Sequence, residues 1–394
     1  MRRARAVLLA AGAAAALAGC GGQFIMPTEN RERVIPADQS YQMVATWTGM
    51  QDIRDILLTQ GTGTQLFLLF NHGGTGTAPR GEVGIYARLK ATGPQAPVGG
   101  IAFNTLFNPV ALCAGGDGAG APGNRVFVLD EGDTTLARAN PLTHVYGDTT
   151  GLSTTLRGTW RLNEVSDLGL YWRVREFGLL GGDTIATFTD TSMAFVNGVA
   201  ADAQGRVYVS GAALVWVPDV LNPTVFTRAF LWRINRYARG GGDPFMPGSA
   251  WHTDATWIVR EGSGVGTVMD PRSLYWGPYG GGAVYTADFL KNWFQKLTDT
   301  SPVAGLSIDQ AEGLSLTGPL DVTADLQGFI YGADTGNQRV LRFDAGGAYV
   351  QRVDVERDAY SQTLQAPVAV AADDSLVFVG DRGLGEVIRY QRRK

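Results

Sequence analysis

From Tyr41 onward the apolar residues come in short runs of about four to eight, broken by Gly, Asp, Asn and Pro. Many runs alternate apolar with polar positions, and others are apolar throughout. A period of two over so few residues predicts strands, half-buried where the run alternates and buried on both faces where it does not. The clearest stretch, PLDVTADLQGFIYGADTGNQRVLRFDAGGAYVQRVDV at residues 319–355, reads as four strands joined by Gly, Asp and Asn turns. Its second strand, IYGAD at 330–334, recurs as VYTAD at 284–288, VFVGD at 377–381 and VFVLD at 126–130, and more loosely as VYVSG at 207–211 and LFLLF at 66–70. Six copies of one strand predict six copies of one unit. Third strands follow as RVLRFD from Arg339, EVIRYQ from Glu386, AFLWRINRY from Ala229, YWRVREFG from Tyr171 and NWFQKLTD from Asn292. Arg342, Arg389, Arg233 and Arg173 fall at matching places in them, between apolar neighbours, where a strand with one wet face would put them.

Units of about 45 residues with four strands each predict a β-propeller, because one small sheet cannot bury its two faces without neighbours. Residues 319–355 resemble an NHL repeat in detail: a first strand ending in Ala324-Asp325, a Gly turn, an aliphatic-aromatic second strand, the turn Asp334-Thr335-Gly336-Asn337, and a third strand from Arg339. The chain is therefore similar to the NHL-repeat family. That resemblance implies an all-β fold, a single six-bladed β-propeller, with seven blades if GTWRLNEVSDLGLYWRVREFG at 158–178 holds a degenerate one. The last repeat supplies three strands before the chain ends, while YQMVATWT at 41–48 is a strand with no repeat of its own. The N-terminal strand is expected to complete the last blade and close the ring.

Two repeats are stretched between their second and third strands, by residues 131–170 and 212–228. The second insertion carries Trp216, Pro218, Pro223 and Phe226, and both are expected as loops forming a lip around one mouth of the central channel. A Gly-rich stretch, ARGGGDPFMPGSAWHTD at 238–254, joins third to fourth strands and is expected on the opposite face.

The N-terminus adds a different signal. In MRRARAVLLAAGAAAALAGCGG, three arginines precede an apolar run from Ala6 to Ala18 that is too short to span a bilayer, then small residues surround Cys20. Leu17-Ala18-Gly19-Cys20 is similar to the lipobox of bacterial lipoproteins, which implies cleavage before Cys20 and acylation of that cysteine. The expected domains are a signal peptide at 1–19, a lipidated Cys20 with a flexible tether at 20–40, and the propeller at 41–394. Gly21 and Gly22 stand where an inner-membrane retention signal often has Asp, so the resemblance implies the outer membrane of the cell envelope. Loss of the signal's three arginines leaves 30 basic against 37 acidic residues, net −7. A nucleic-acid partner is disfavoured, since a phosphate backbone calls for a basic surface.

Candidate chemistry is sparse. His72, His144 and His252 lie in unrelated contexts without metal-ligand spacing, and once Cys20 is acylated only Cys113 remains, in the strand-like PVALCAG. The Gly-rich AGGDGAGAPG at 114–123 and YWGPYGGGAV at 275–284 lack the Lys and strand-to-helix context of a phosphate loop and read as hairpin turns. No motif names a cofactor. Asp130, Asp288, Asp334 and Asp381 end second strands, either as a ring of binding carboxylates or, as repetition favours, as caps on their own turns. Trp216, Trp251, Trp257, Trp276 and Trp293 suit a saccharide or peptide platform, although most are expected in the core. Two function classes follow. The first is an envelope binding or scaffolding protein that holds a protein, peptide or glycan with its rim and long loops, Trp216 and Phe226 among the contacts. The second is an enzyme similar to the propeller lactonases or the peptidylglycine lyase, with a divalent metal in the channel.

Overall fold

The protein is described from a computed structural model. It describes residues 40–59, 65–72, 81–86, 89, 99–101, 106, 108–115, 125–130, 161–167, 186–188, 193, 195–218, 221, 226–239, 251–300, 303–308, 314–354 and 364–393. The N-terminal segment with Cys20 and the lipobox lies outside these residues, as do residues 131–160 and 168–185.

In chain order the strands are β1 (Tyr41–Thr48), β2 (Ile53–Leu58), β3 (Leu66–Asn71), β4 (Gly81–Tyr86), β5 (Gly99–Ile101), β6 (Pro109–Gly115), β7 (Arg125–Asp130) and β8 (Arg161–Asp167). The next eight are β9 (Ala186–Phe188), β10 (Phe195–Ala201), β11 (Val207–Pro218), β12 (Phe226–Arg239), β13 (Trp251–Arg260), β14 (Pro271–Gly277), β15 (Ala283–Asp288) and β16 (Trp293–Thr298). The last are β17 (Gly305–Ile308), β18 (Asp321–Ala324), β19 (Ile330–Asp334), β20 (Arg339–Phe343), β21 (Tyr349–Arg352), β22 (Pro367–Ala372), β23 (Leu376–Asp381) and β24 (Glu386–Arg392). They pair antiparallel into six four-stranded sheets: β2–β5, β6–β9, β10–β13, β14–β17, β18–β21, and β22–β24 completed by β1. The first strands touch in a closed cycle, β2 to β6, β10, β14, β18, β22 and back to β2. This is an all-β propeller, with first strands around the axis and fourth strands outside.

The core lies between the sheets. Six apolar clusters occur, one at each seam: Trp47, Ile56 and Phe378 between the last and first sheets, Phe67 and Val128 between first and second, Phe127 and Val209 between second and third. Tyr208 and Val284 fill the third seam, Phe294 and Phe343 the fourth, and Tyr331 and Val379 the fifth. Second strands sit mid-sheet with both faces covered, so β3, β15, β19 and β23 are buried at every residue. That is why their sequences read as unbroken apolar runs instead of alternating. Across the third seam the packing is also ionic: Arg236 bonds Asp254 and Asp299, Arg206 bonds Asp202 and Asp299, and the Tyr208 hydroxyl donates to Asp202 at 3.1 Å.

Several expectations change. The third strand of the second sheet is β8, ten residues before YWRVREFG, so RLNEVSD belongs to that sheet. The 212–228 insertion is no loop at its base: β11 and β12 continue as a paired ribbon from Ala213↔Leu231 to Pro218↔Phe226. Beyond Ala212 the ribbon has lost β10, whose pairing ends there, and beyond Arg233 it has lost β13. Arg342 and Arg389 are not wet. Both are buried, Arg342 with its guanidinium 3.7 Å from the Phe329 ring centroid, since an arginine stem packs well and its flat head stacks on an aromatic face.

Strand β1 pairs with β24 from Tyr41↔Arg392 to Thr48↔Glu386, so the chain's first described strand closes the ring on its last. Trp47 is 1% exposed and touches Tyr86 and Phe378 of two different sheets. A truncation ending at Asp38 should keep the melting temperature of the full chain, whereas one ending at Thr48 should lower it and promote aggregation by baring the edge of β24. Trp47→Ala alone should cost about 3–5 kcal/mol in urea unfolding. Equal stability of both truncations would show that closure does not depend on β1.

Candidate functional site

The channel wall is made by the six first strands, and these share a local sequence. Ile53-Arg54-Asp55-Ile56, Pro109-Val110-Ala111-Leu112, Val196-Asn197-Gly198-Val199, Pro271-Arg272-Ser273-Leu274, Pro319-Leu320-Asp321-Val322 and Pro367-Val368-Ala369-Val370 all open with an apolar residue and reach a small or acidic third position. In five of them the pairing register skips the second residue, a bulge that re-aims the third. Proline is tolerated at such strand starts because it needs no ladder donor.

The inner edge of a first strand has no partner strand, so its N–H groups face the axis. Where the third position is polar, its side chain meets them. Asp55 accepts the N–H groups of Ile56 at 2.7 Å and of Leu112, on the next sheet, at 2.6 Å. Asp321 does the same with Val322 at 2.8 Å and Val370 of its next sheet at 2.6 Å. The Ser273 hydroxyl oxygen accepts the Val322 N–H at 3.1 Å. Ala111, Gly198 and Ala369 cannot take part. At Gly198 a Cβ would lie 2.9 Å from the Leu274 nitrogen, so the third and fourth sheets meet too closely there for any side chain.

Inside this ring is a cavity of about 270 Å³ touching all six first strands. Asp55 and Asp321 lie at one end, with apolar walls that include Leu57, Leu274 and Val322, and the strand ends at Thr59 and Pro278 form the other. Leu326 lines that second end and is 53% exposed. The mouth therefore opens on the face of the first-to-second strand turns, opposite the β11–β12 ribbon, and not within a lip made by the insertions. Cys113 and Trp276 also line it, so two residues expected in the core face space: the thiol is buried, and the indole N–H has no partner among the described residues.

Burial raises the Asp55 carboxyl well above the ordinary range, and the charge of Asp321 adds to it. Burial likewise raises Asp321, to about 7, against the bonds it receives from Val370, Ser273 and Val322. Near neutral pH the pair therefore keeps a proton, since each charge disfavours the other. Burial and Asp55 together push the Cys113 thiol up, so it is not a thiolate nucleophile. Among the described residues no group of three or more His, Cys, Asp or Glu side chains could hold a metal ion. Asp55 and Asp321 are the only Asp, Glu or His side chains lining the cavity among the described residues, so the residues present do not fit a channel metal.

The acids singled out from sequence lie elsewhere. Asp130, Asp288, Asp334 and Asp381 are fully buried at the far ends of second strands, and their carboxylates accept turn N–H groups: Asn108 for Asp130, Met269 and Asp270 for Asp288, Thr317 for Asp334, and Gln365, Ala366 and Leu384 for Asp381. Asp334 also holds Arg339 and Asn337. This is turn-capping geometry, and the four do not converge. Trp216 and Phe226 fall in the ribbon, Phe226 opposite Pro218, with their side chains outside the described residues. Trp257 is core, its N–H donating to the Thr298 carbonyl at 3.0 Å. Asp55 and Asp321 escaped the sequence reading. The aligned third position of the first strands, Asp, Ala, Gly, Ser, Asp, Ala, was the signal that could have found them.

No family model matches the chain, and no curated protein matches it. Solved structures do. A candidate gluconolactonase has 12% identity over 91% of this chain and 93% of its own, with a TM-score of 0.50. A virginiamycin B lyase from Staphylococcus aureus has 8% identity over 89% of this chain and 99% of its own, with a TM-score of 0.41. At such identity the first likeness is one of fold alone, and it agrees with the propeller described above.

The carboxyl pair makes stability depend on pH. An Asp whose folded pKa is raised stabilises the fold fully below its unfolded pKa of about 3.9, and that contribution is lost as pH rises through the folded value. Wild-type urea midpoints should therefore fall between pH 5 and pH 8 as Asp321 ionises near 7, and Asp321→Asn should flatten the fall. A midpoint that climbs over this window, or the same slope in the variant, would contradict the assignment.

Proposed function

We propose that the chain is an envelope propeller, anchored through Cys20, that binds a small organic molecule in its central cavity against Asp55 and Asp321. The observation that carries this reading is the cavity itself: apolar walls, a few polar groups at one end and an exposed apolar lip at the other, the usual anatomy of a small-molecule site. The carboxyl pair also suits proton transfer, because one member stays protonated where an ordinary carboxylate is not. Acid-base chemistry on the bound molecule is the activity it would support. Strand β1 begins at Tyr41 opposite Arg392, level with the end of β22, and so at the mouth end of the ring.

A second reading gives the ribbon a protein, peptide or glycan partner. It is favoured by the stretch where β11 and β12 pair only with each other, since a lone two-stranded ribbon is marginal in water and its edges invite another strand.

One experiment separates the two. Thermal shift against a small-molecule panel is compared for wild type, for Ala203→Trp at the cavity mouth, and for a variant with residues 213–227 replaced by a short Gly-Asn turn. A binder at a hundred times its Kd should stabilise wild type by about 2.7 kcal/mol. That shift should vanish in Ala203→Trp and persist in the shortened ribbon. No shift in wild type, or the same shift in Ala203→Trp, would remove the cavity reading. Membrane retention of the wild type that survives Cys20→Ala would remove the anchor.

A further inference from the structure

Several other buried carboxylates among the described residues are paired with a cation or capped by backbone N–H groups. Asp202 holds Arg206, Asp270 holds Arg272 at 2.6 Å, Asp334 holds Arg339 at 2.7 Å and Asp354 holds Arg352 at 2.5 Å. Asp381 takes three backbone N–H groups, and Asp288 lies beside Lys291. Asp55 and Asp321 differ: each has its next-residue N–H and one from the adjoining sheet, Asp321 also the Ser273 hydroxyl, they oppose each other's charge, and no Lys or Arg among the described residues pairs with either. The other titratable groups lining the cavity are the Cys113 thiol on β6 and the Tyr275 hydroxyl on β14, both held neutral by burial. The cavity thus has an acidic end with no counter-charge and walls that are apolar.

Resting on the cavity reading above, we propose that the ligand is an organic amine with an apolar body, its ammonium group placed between Asp55 and Asp321 and its hydrocarbon part lying toward Leu326. A buried acid pair and a desolvated ammonium are each costly alone and offset each other when paired. The ammonium donates hydrogen bonds to carboxylate oxygens that no cation of the protein reaches. Its arrival expels the proton the pair shares: the ammonium keeps its own three, and the carboxyl proton passes to solvent. Half-exposed Leu326 and, at the same end, Tyr279, 44% exposed and packed on Gly328, offer the apolar part a way out of water.

The test compares octylamine, octanol and octanoate, which share a chain and differ in head group, by calorimetry on the full chain. Octylamine should bind at least tenfold tighter than octanol at pH 7.5, and octanoate not at all. At pH 6 octylamine binding should release protons, seen as heats that change with the ionisation enthalpy of the buffer. Asp321→Asn, and Asp55→Asn with it, should reduce octylamine to the affinity of octanol while octanol binding, which also reports an intact fold, stays unchanged. Octanol or octanoate binding as well as the amine, or Ca²⁺ or Mg²⁺ alone binding in competition with it, would overturn the amine and leave the cavity reading standing. Failure of all three probes to bind would overturn both.

Discussion

Everything in this structure depends on each small sheet being covered on both faces. A four-stranded sheet with apolar residues on either side has no stable existence alone, and six of them in a closed cycle give every face a neighbour. The cycle has one place where the chain itself must return, the pairing of β1 with β24, and Trp47 at that seam is buried between two sheets. Closure also fixes the channel, because the spacing of the first strands around the axis follows from the seams between sheets. At Gly198 the seam is so tight that a methyl group has no place.

The same closure creates a polar problem at the axis. First strands have an inner edge with no partner strand, and buried N–H groups without acceptors are costly. Asp55, Ser273 and Asp321 answer this by reaching across to the adjoining sheet. Acceptors this strong bring charge into a place with little water, and desolvation then raises both carboxyls. A seam-bridging device thereby becomes an acid pair at the end of a cavity. The two roles are compatible because each carboxylate oxygen accepts more than one hydrogen bond.

Much of the architecture was legible in the sequence. Continuous apolar second strands such as VFVGD and VYTAD marked the middle of each sheet, and the orphan strand at Tyr41 marked the closure. The capping role of Asp130, Asp288, Asp334 and Asp381 followed from their repetition at turns. What misled was local context: YWRVREFG has a better strand pattern than RLNEVSD, yet β8 is the latter, because pairing with β7 is decided across the sheet and not along the chain. The 212–228 insertion looked like a loop since Pro218 and Pro223 fall within it, although its flanks pair as a ribbon, Leu214 with Phe230 and Trp216 with Arg228. Arg342 and Arg389 read as wet because charge suggests solvent, whereas stacking and long stems allow burial. The acid pair stayed hidden because Asp55 and Asp321 lie 266 positions apart and only the closed ring brings both to the axis.

The central claim is that Asp55 and Asp321 share one buried, uncompensated environment at the end of the cavity. Carbon NMR of the aspartate carboxyl groups as a function of pH, assigned through Asp55→Asn and Asp321→Asn, tests it most directly. The account predicts one transition near 7 for Asp321 and one raised well above the ordinary carboxylate range for Asp55, with each variant lowering the transition of the acid that remains. Two independent transitions near the ordinary value of about 3.9, unchanged by removal of either partner, would contradict it.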